Sequence, residues 1–152
     1  MKPRLNPYQA APDAMKALGA LESHVQNSGL EPSLIELVKT RASQINGCAY
    51  CLHMHTSDAL AAGETPARLF LLDAWEESNL YTARERAALA WTEAVTRIAD
   101  THAPDAAYEA LTKEFEDKEI ADLTLLIATI NAWNRIAISF RAQHPHDVKK
   151  AA

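Results

Sequence analysis

At 152 residues, 48% of them hydrophobic and 23% charged, the chain has the composition of one ordinary globular domain. A domain of this length buries roughly 70% of the surface its unfolded chain exposes, so it needs no staples. A net charge of −5 and fifteen scattered Lys and Arg exclude the basic patch that nucleic acid or an anionic membrane requires. Residues 1–11 hold two early cations with no apolar run behind them, which reads as neither signal peptide nor membrane anchor and makes the cytoplasm the expected compartment.

Pro12 at a first helical position, with Met15, Leu18 and Leu21 at helical spacing, opens a helix that stops at Asn27-Ser28-Gly29. A second helix is expected from about residue 32 to 45, with Leu34, Leu37, Val38 and Ile45 on one stripe and a left-handed cap at Asn46-Gly47. On that wheel Glu36 falls with Lys39, Thr40 and Ser43 on the opposite, exposed face. A third helix spans about 49–62 and closes at Gly63; Thr65-Pro66 opens a short fourth one through Trp75. Thr82 and Glu85 form a capping box ahead of a fifth helix with Ala87, Leu89, Trp91, Ala94, Val95 and Ile98. Pro104 and Asp117 start two more. The last, from about 118 to 142, is apolar almost all round and is expected centrally or between subunits, because Asp122, Asn131, Asn134 and Arg135 make it too polar for a membrane span. No strand-like alternation appears, so the fold is expected to be all-α, with one domain over 1–143 and a loose tail over 144–152.

The chemistry is expected in Asn46-Gly47-Cys48-Ala49-Tyr50-Cys51-Leu52-His53-Met54-His55. On a helix, Cys48 and Cys51 share a face, as do Cys51 and His55, while His53 points elsewhere. A thiol in the first turn also meets free backbone amides and the positive end of the helix dipole, which favour thiolate. Three readings compete: a redox disulfide pair, a metal site using Cys48, Cys51 and His55, or two buried cysteines that only pack. A closed zinc site needs a fourth ligand, and the chain has no further cysteine. Haem attachment is excluded by Leu52, where that motif requires histidine.

The spacing Glu36, Cys48, Cys51, His55, with Ile35-Glu36-Leu37-Val38, Gln44 to Cys51, and the late Ile130-Asn131-Ala132-Trp133-Asn134-Arg135, resembles the alkylhydroperoxidase D-like branch of the carboxymuconolactone decarboxylase superfamily. That branch is marked by a glutamate twelve positions before Cys-x-x-Cys-x-x-x-His, a pattern more specific than a bare Cys-x-x-Cys. The resemblance implies a helical bundle assembled as homo-trimer or homo-hexamer. It also implies a thiol peroxidase with no cofactor or metal, in which Cys51 is peroxidatic, Cys48 resolving, and Glu36 and His55 move protons. The implied partners are a small-molecule peroxide and an external thiol or dithiol, protein or lipoyl-type. Tyr50 stands where the best-studied members carry a histidine, so one relay member is absent. Two other functions stay open: a decarboxylase-like lyase, against which the cysteine pair argues, and a redox-sensing or metal-binding protein using the same thiols.

His24, His102, His144 and His146 read as solvated residues. Asn131, Asn134 and Arg135 read as structural or assembly groups, and Trp75, Trp91 and Trp133 as core or interface packing.

Overall fold

A computed structural model describes residues 2–145. Among them nine α-helices and no strand occur: α1 (Pro7–Ala10), α2 (Pro12–Gln26), α3 (Pro32–Asn46), α4 (Ala49–Ala61), α5 (Pro66–Leu71), α6 (Ala83–Thr96), α7 (Ile98–Thr101), α8 (Asp105–Leu111) and α9 (Asp117–Phe140). A single 3₁₀ turn, Leu72–Ala74, extends α5. Proline opens α1, α2, α3 and α5, where its missing N–H is one the helix end leaves free anyway. The capping box of Thr82 and Glu85 forms as expected, and a second one joins Glu116 to Glu119 at the start of α9. The four-residue helices α1 and α7 were not expected, since one turn is too short to show a hydrophobic period.

Helix α3 is the centre of the molecule, with α4, α6 and α9 packed around it. One core cluster joins Val25 of α2 and Leu34, Ile35 and Val38 of α3 to Trp91 of α6 and Leu123, Leu126 and Ile127 of α9. A second joins Leu37 of α3 to Ala59 of α4, Leu69 and Leu72 at α5, Trp75, and Leu89 of α6. The expectation of an exposed polar face on α3 is corrected here. Lys39, Thr40 and Ser43 are 2%, 0% and 0% exposed. Periodicity assumes that water covers one side of a helix, and around α3 other helices take that place.

Lys39, Arg41 and Ser43 on α3 are accordingly paired, while Thr40 Oγ1 is buried without a hydrogen-bond partner among the described residues. Lys39 bonds to Glu22 and Gln26 of α2, and Trp133 of α9 donates to the other Glu22 oxygen at 3.0 Å. Arg41 donates to Glu93 of α6 at 2.9 Å and pairs with Asp73. Glu93 also accepts from Trp75 at 2.8 Å. Burial alone pushes the Glu93 carboxyl up, but the hydrogen bonds from Trp75 and Arg41 outweigh it and hold the group below its ordinary value of 4.5.

Helix α9 is long and apolar enough to cross a membrane by length and mean hydropathy alone, a test that the core helix of a soluble protein also passes. Its inner face is core, and its outer face carries Leu125 and Ile138, 42% and 46% exposed, beside Arg135. The residues following α9 begin with Arg141 in the left-handed region, and His144 stacks on His53 with ring centroids 5.3 Å apart. His146 and the rest of the tail lie outside the described residues.

Candidate active site

The segment between α3 and α4 is fixed from both sides. Gly47, at φ 68°, ends α3 in a conformation that favours glycine, so the chain reverses into the next helix without strain. Asn46, just before it, donates to Asn131 Oδ1 at 3.0 Å and Asn134 Oδ1 at 2.8 Å. Asn134 is fully buried and donates in turn to Ser43 at 3.0 Å, and Asn131 donates to Thr96 at 3.0 Å. The late Asn131-Asn134 pair therefore acts structurally, tying the end of α3 to α9 directly ahead of the cysteines.

Cys48 is the N-cap of α4, and its Sγ accepts the backbone N–H of Cys51 at 3.3 Å. The two sulfurs are joined in a disulfide, with Cα atoms 5.4 Å apart. Both cysteines are almost fully buried. One turn further along α4, His55 is 4% exposed, and its Nδ1 lies 2.9 Å from Oε2 of Glu36. A carboxylate only accepts, so Nδ1 carries the hydrogen in this pair. The other ring nitrogen, Nε2, is buried and has no hydrogen-bond partner among the described residues.

Glu36 is 12% exposed at its side chain because α4 covers the α3 face that periodicity assigns to water. The structure thus brings all four expected residues, Glu36, Cys48, Cys51 and His55, to the α3–α4 junction. His53 is exposed and takes no part, and Tyr50, between the cysteines, is 36% exposed.

These residues open onto a cleft of about 850 Å³ between α2, α4 and α9. Glu36, Cys51 and His55 line it; Cys48 does not. Its walls are largely apolar, with Tyr8, Met54, Trp133, Ile136 and Phe140, and Lys39 with its partner Glu22 forms a second polar spot. Residues 3–6 cross the end of α9, where the Arg4 N–H donates to the Phe140 carbonyl at 3.1 Å, and they close one rim. Sequence reasoning missed this rim and the contribution of α2, because neither carries a local motif. Asp58, one turn beyond His55, was also missed. Glu36, His55 and Asp58 offer ligand atoms within 4.8 Å of one another, a group capable of holding a metal ion.

Comparison with known proteins shows the family and the fold. Residues 12–94 match the model of the carboxymuconolactone decarboxylase family. YdfG, an uncharacterized protein of Bacillus subtilis strain 168, is 40% identical over 139 residues, covering 91% of this chain and 95% of that protein. A crystal structure from Agrobacterium tumefaciens, of a protein of unknown function suggested to be the antioxidant defence protein AhpD, is 50% identical. It superposes with a TM-score of 0.93 over 96% of this chain and all of that one (100%). The debrominase Bmp8, at 19% identity and a TM-score of 0.78 over 90% of this chain and 74% of its own, shares the fold.

Proposed function

The chain belongs to the carboxymuconolactone decarboxylase family, in its alkylhydroperoxidase D-like branch, and from that premise we propose that it is a thiol-dependent peroxidase working through a Cys48–Cys51 disulfide cycle. A debrominase on the same fold means that architecture alone does not choose the reaction, so the reading rests on side chains. The observation that carries it is an asymmetry: Cys51 reaches the cleft beside His55, whereas Cys48 sits behind it as the helix cap.

In this reading the reduced Cys51 gives its proton to Nε2 of His55, the nitrogen that Glu36 leaves free. The Cys51 thiolate attacks the nearer peroxide oxygen and the O–O bond breaks. The departing oxygen takes the proton from His55 and leaves as an alcohol, or as water if the substrate is hydrogen peroxide. Cys51 is then a sulfenic acid. Cys48 attacks that sulfur, the hydroxyl leaves as water with the Cys48 proton, and the disulfide forms. An external thiol or dithiol, entering from the cleft, attacks Cys51 and expels Cys48. The Cys51 amide directed at the Cys48 sulfur favours that departing thiolate. Homo-trimeric or homo-hexameric assembly and the reductant's identity belong to the same proposal.

Peroxide consumption by the pre-reduced protein tests it. About one equivalent should be consumed by the wild type within the first turnover and none by Cys51→Ser. Undiminished consumption by that variant would remove Cys51 from the reaction.

A further inference from the structure

We propose that the cleft binds a fatty acid, with its carboxylate on Arg141 and its chain running toward Cys51, and that the peroxide reduced there is a fatty-acid hydroperoxide. The choice of peroxide rests on the thiol-peroxidase reading above; the binding site does not, since it needs no turnover. At about 850 Å³ the cleft lies high in the range of roughly 300–1,000 Å³ that holds drug-sized ligands. Hydrogen peroxide would leave most of it empty.

The walls and the mouth favour an apolar chain. Trp133, Ile136 and Phe140 of α9 line the wall, and the large apolar side chains of Leu5, Tyr8 and Met54 line the cleft while standing exposed. Apolar residues left in water singly need no explanation, but several gathered around one concavity mark a ligand groove. An acyl chain laid along them takes apolar surface out of water on both partners.

Charge sets the direction of that chain. Lys39 pairs with Glu22 and Glu36 with His55, so Arg141 and Asp58 are the charged residues of the cleft left without an ion pair among the described residues. Asp58 lies beside Glu36 and His55, with ligand atoms within 4.8 Å of one another, and two carboxylates there repel a third. Arg141 stands apart from them. Asn134 is tied through Asn46 to the start of α4, and Arg141 follows seven residues later, about 10 Å of helix rise along α9. It takes the left-handed conformation, at φ 57°, where helices usually place glycine. The backbone there gives no reason for arginine, whereas a guanidinium matches a carboxylate with two parallel N–H donors. With the carboxylate held, a hydroperoxyl group on the chain meets Cys51. The thiolate takes the outer oxygen and becomes the sulfenic acid, the O–O bond breaks, and the inner oxygen stays on the chain as a hydroxyl carrying the His55 proton. The product is a hydroxy fatty acid.

The test uses the full-length disulfide form, titrated by calorimetry with decanoate below its micelle concentration and with decanol, its uncharged counterpart. One decanoate per chain is expected, bound about tenfold or more tighter than the alcohol. Arg141→Gly suits the left-handed position and keeps the fold, and it should bind acid and alcohol about equally. On pre-reduced protein, linoleate hydroperoxide should react about tenfold or more faster than hydrogen peroxide, and Arg141→Gly should narrow that ratio. No saturable decanoate binding, as when a second copy covers the cleft, or the same acid preference in wild type and Arg141→Gly, would overturn the site. Equal rates with the two peroxides would overturn the substrate. Arg141-dependent decanoate binding in a protein that consumes no peroxide would leave the site standing and remove the peroxidase. Peroxide consumption without decanoate binding would do the reverse, so the two failures are distinguishable.

Discussion

Nδ1 of His55 meets Oε2 of Glu36 at 2.9 Å across the α3–α4 interface, between residues nineteen positions apart in the chain. The contact fixes the imidazole's orientation and tautomer and leaves Nε2 buried without a partner among the described residues, the nitrogen that exchanges protons in the proposed reaction. Each helix supplies half of the pair, so in the proposed reaction the packing of α3 on α4 is itself part of the chemistry.

Removing either half should therefore slow the attack of Cys51 on peroxide. His55→Gln is expected to lower the second-order rate about 10²- to 10⁴-fold, the range for a positioned acid or base. Glu36→Ala should cost about 10- to 100-fold, as loss of an orienting partner does. Glu36→Gln can still accept from Nδ1 and should be the milder change. Stopped-flow measurements on pre-reduced protein read all three.

Cys48→Ser separates the two cysteines. The variant should consume one equivalent of hydroperoxide and stop, with a sulfenic acid at Cys51 that a dimedone-type reagent labels. Labelling at neither residue, or continued turnover, would reverse or remove the assigned roles.

Acid stability should depend on Glu93. Its carboxyl is held below 4.5 in the folded protein, so the stability it contributes is fully present above that value and lost as pH falls through the depressed one. Glu93→Gln should cost about 1.5–3 kcal/mol at neutral pH, because the buried Arg41 loses a charged hydrogen-bond partner. The gap from wild type should shrink only below about pH 4.5. Denaturant unfolding across pH checks both the size and the direction.

Asn134→Ala should destabilise the protein by about 1–3 kcal/mol, since it strands the fully buried Ser43 hydroxyl and removes one bond to the partly buried Asn46. Thermal or chemical unfolding measures it. Asn131 remains to hold Asn46, so the variant is expected to fold.

Much of this was legible in the sequence because local rules governed it. Proline starts, capping boxes and Gly47 punctuate the helices, and the i, i+4 relation of Cys51 to His55 needs no tertiary information. Glu36 shows where such rules end. Its own helix places it with Lys39 and Ser43 on a polar face that reads as exposed, and only the docking of α4, α2 and α9 turns that face inward. The family spacing pointed to Glu36 where periodicity pointed away. Asp58 and residues 3–6 had no motif at all, and they join the cleft solely through packing.

The most direct measurement is mass spectrometry of the intact reduced protein before and after one equivalent of hydroperoxide, with remaining thiols alkylated. The account predicts a product lighter than reduced protein by two hydrogens, no alkylation, a bridge mapped to Cys48 and Cys51, and full reversal by a dithiol. Two thiols that remain alkylatable after peroxide treatment would contradict it.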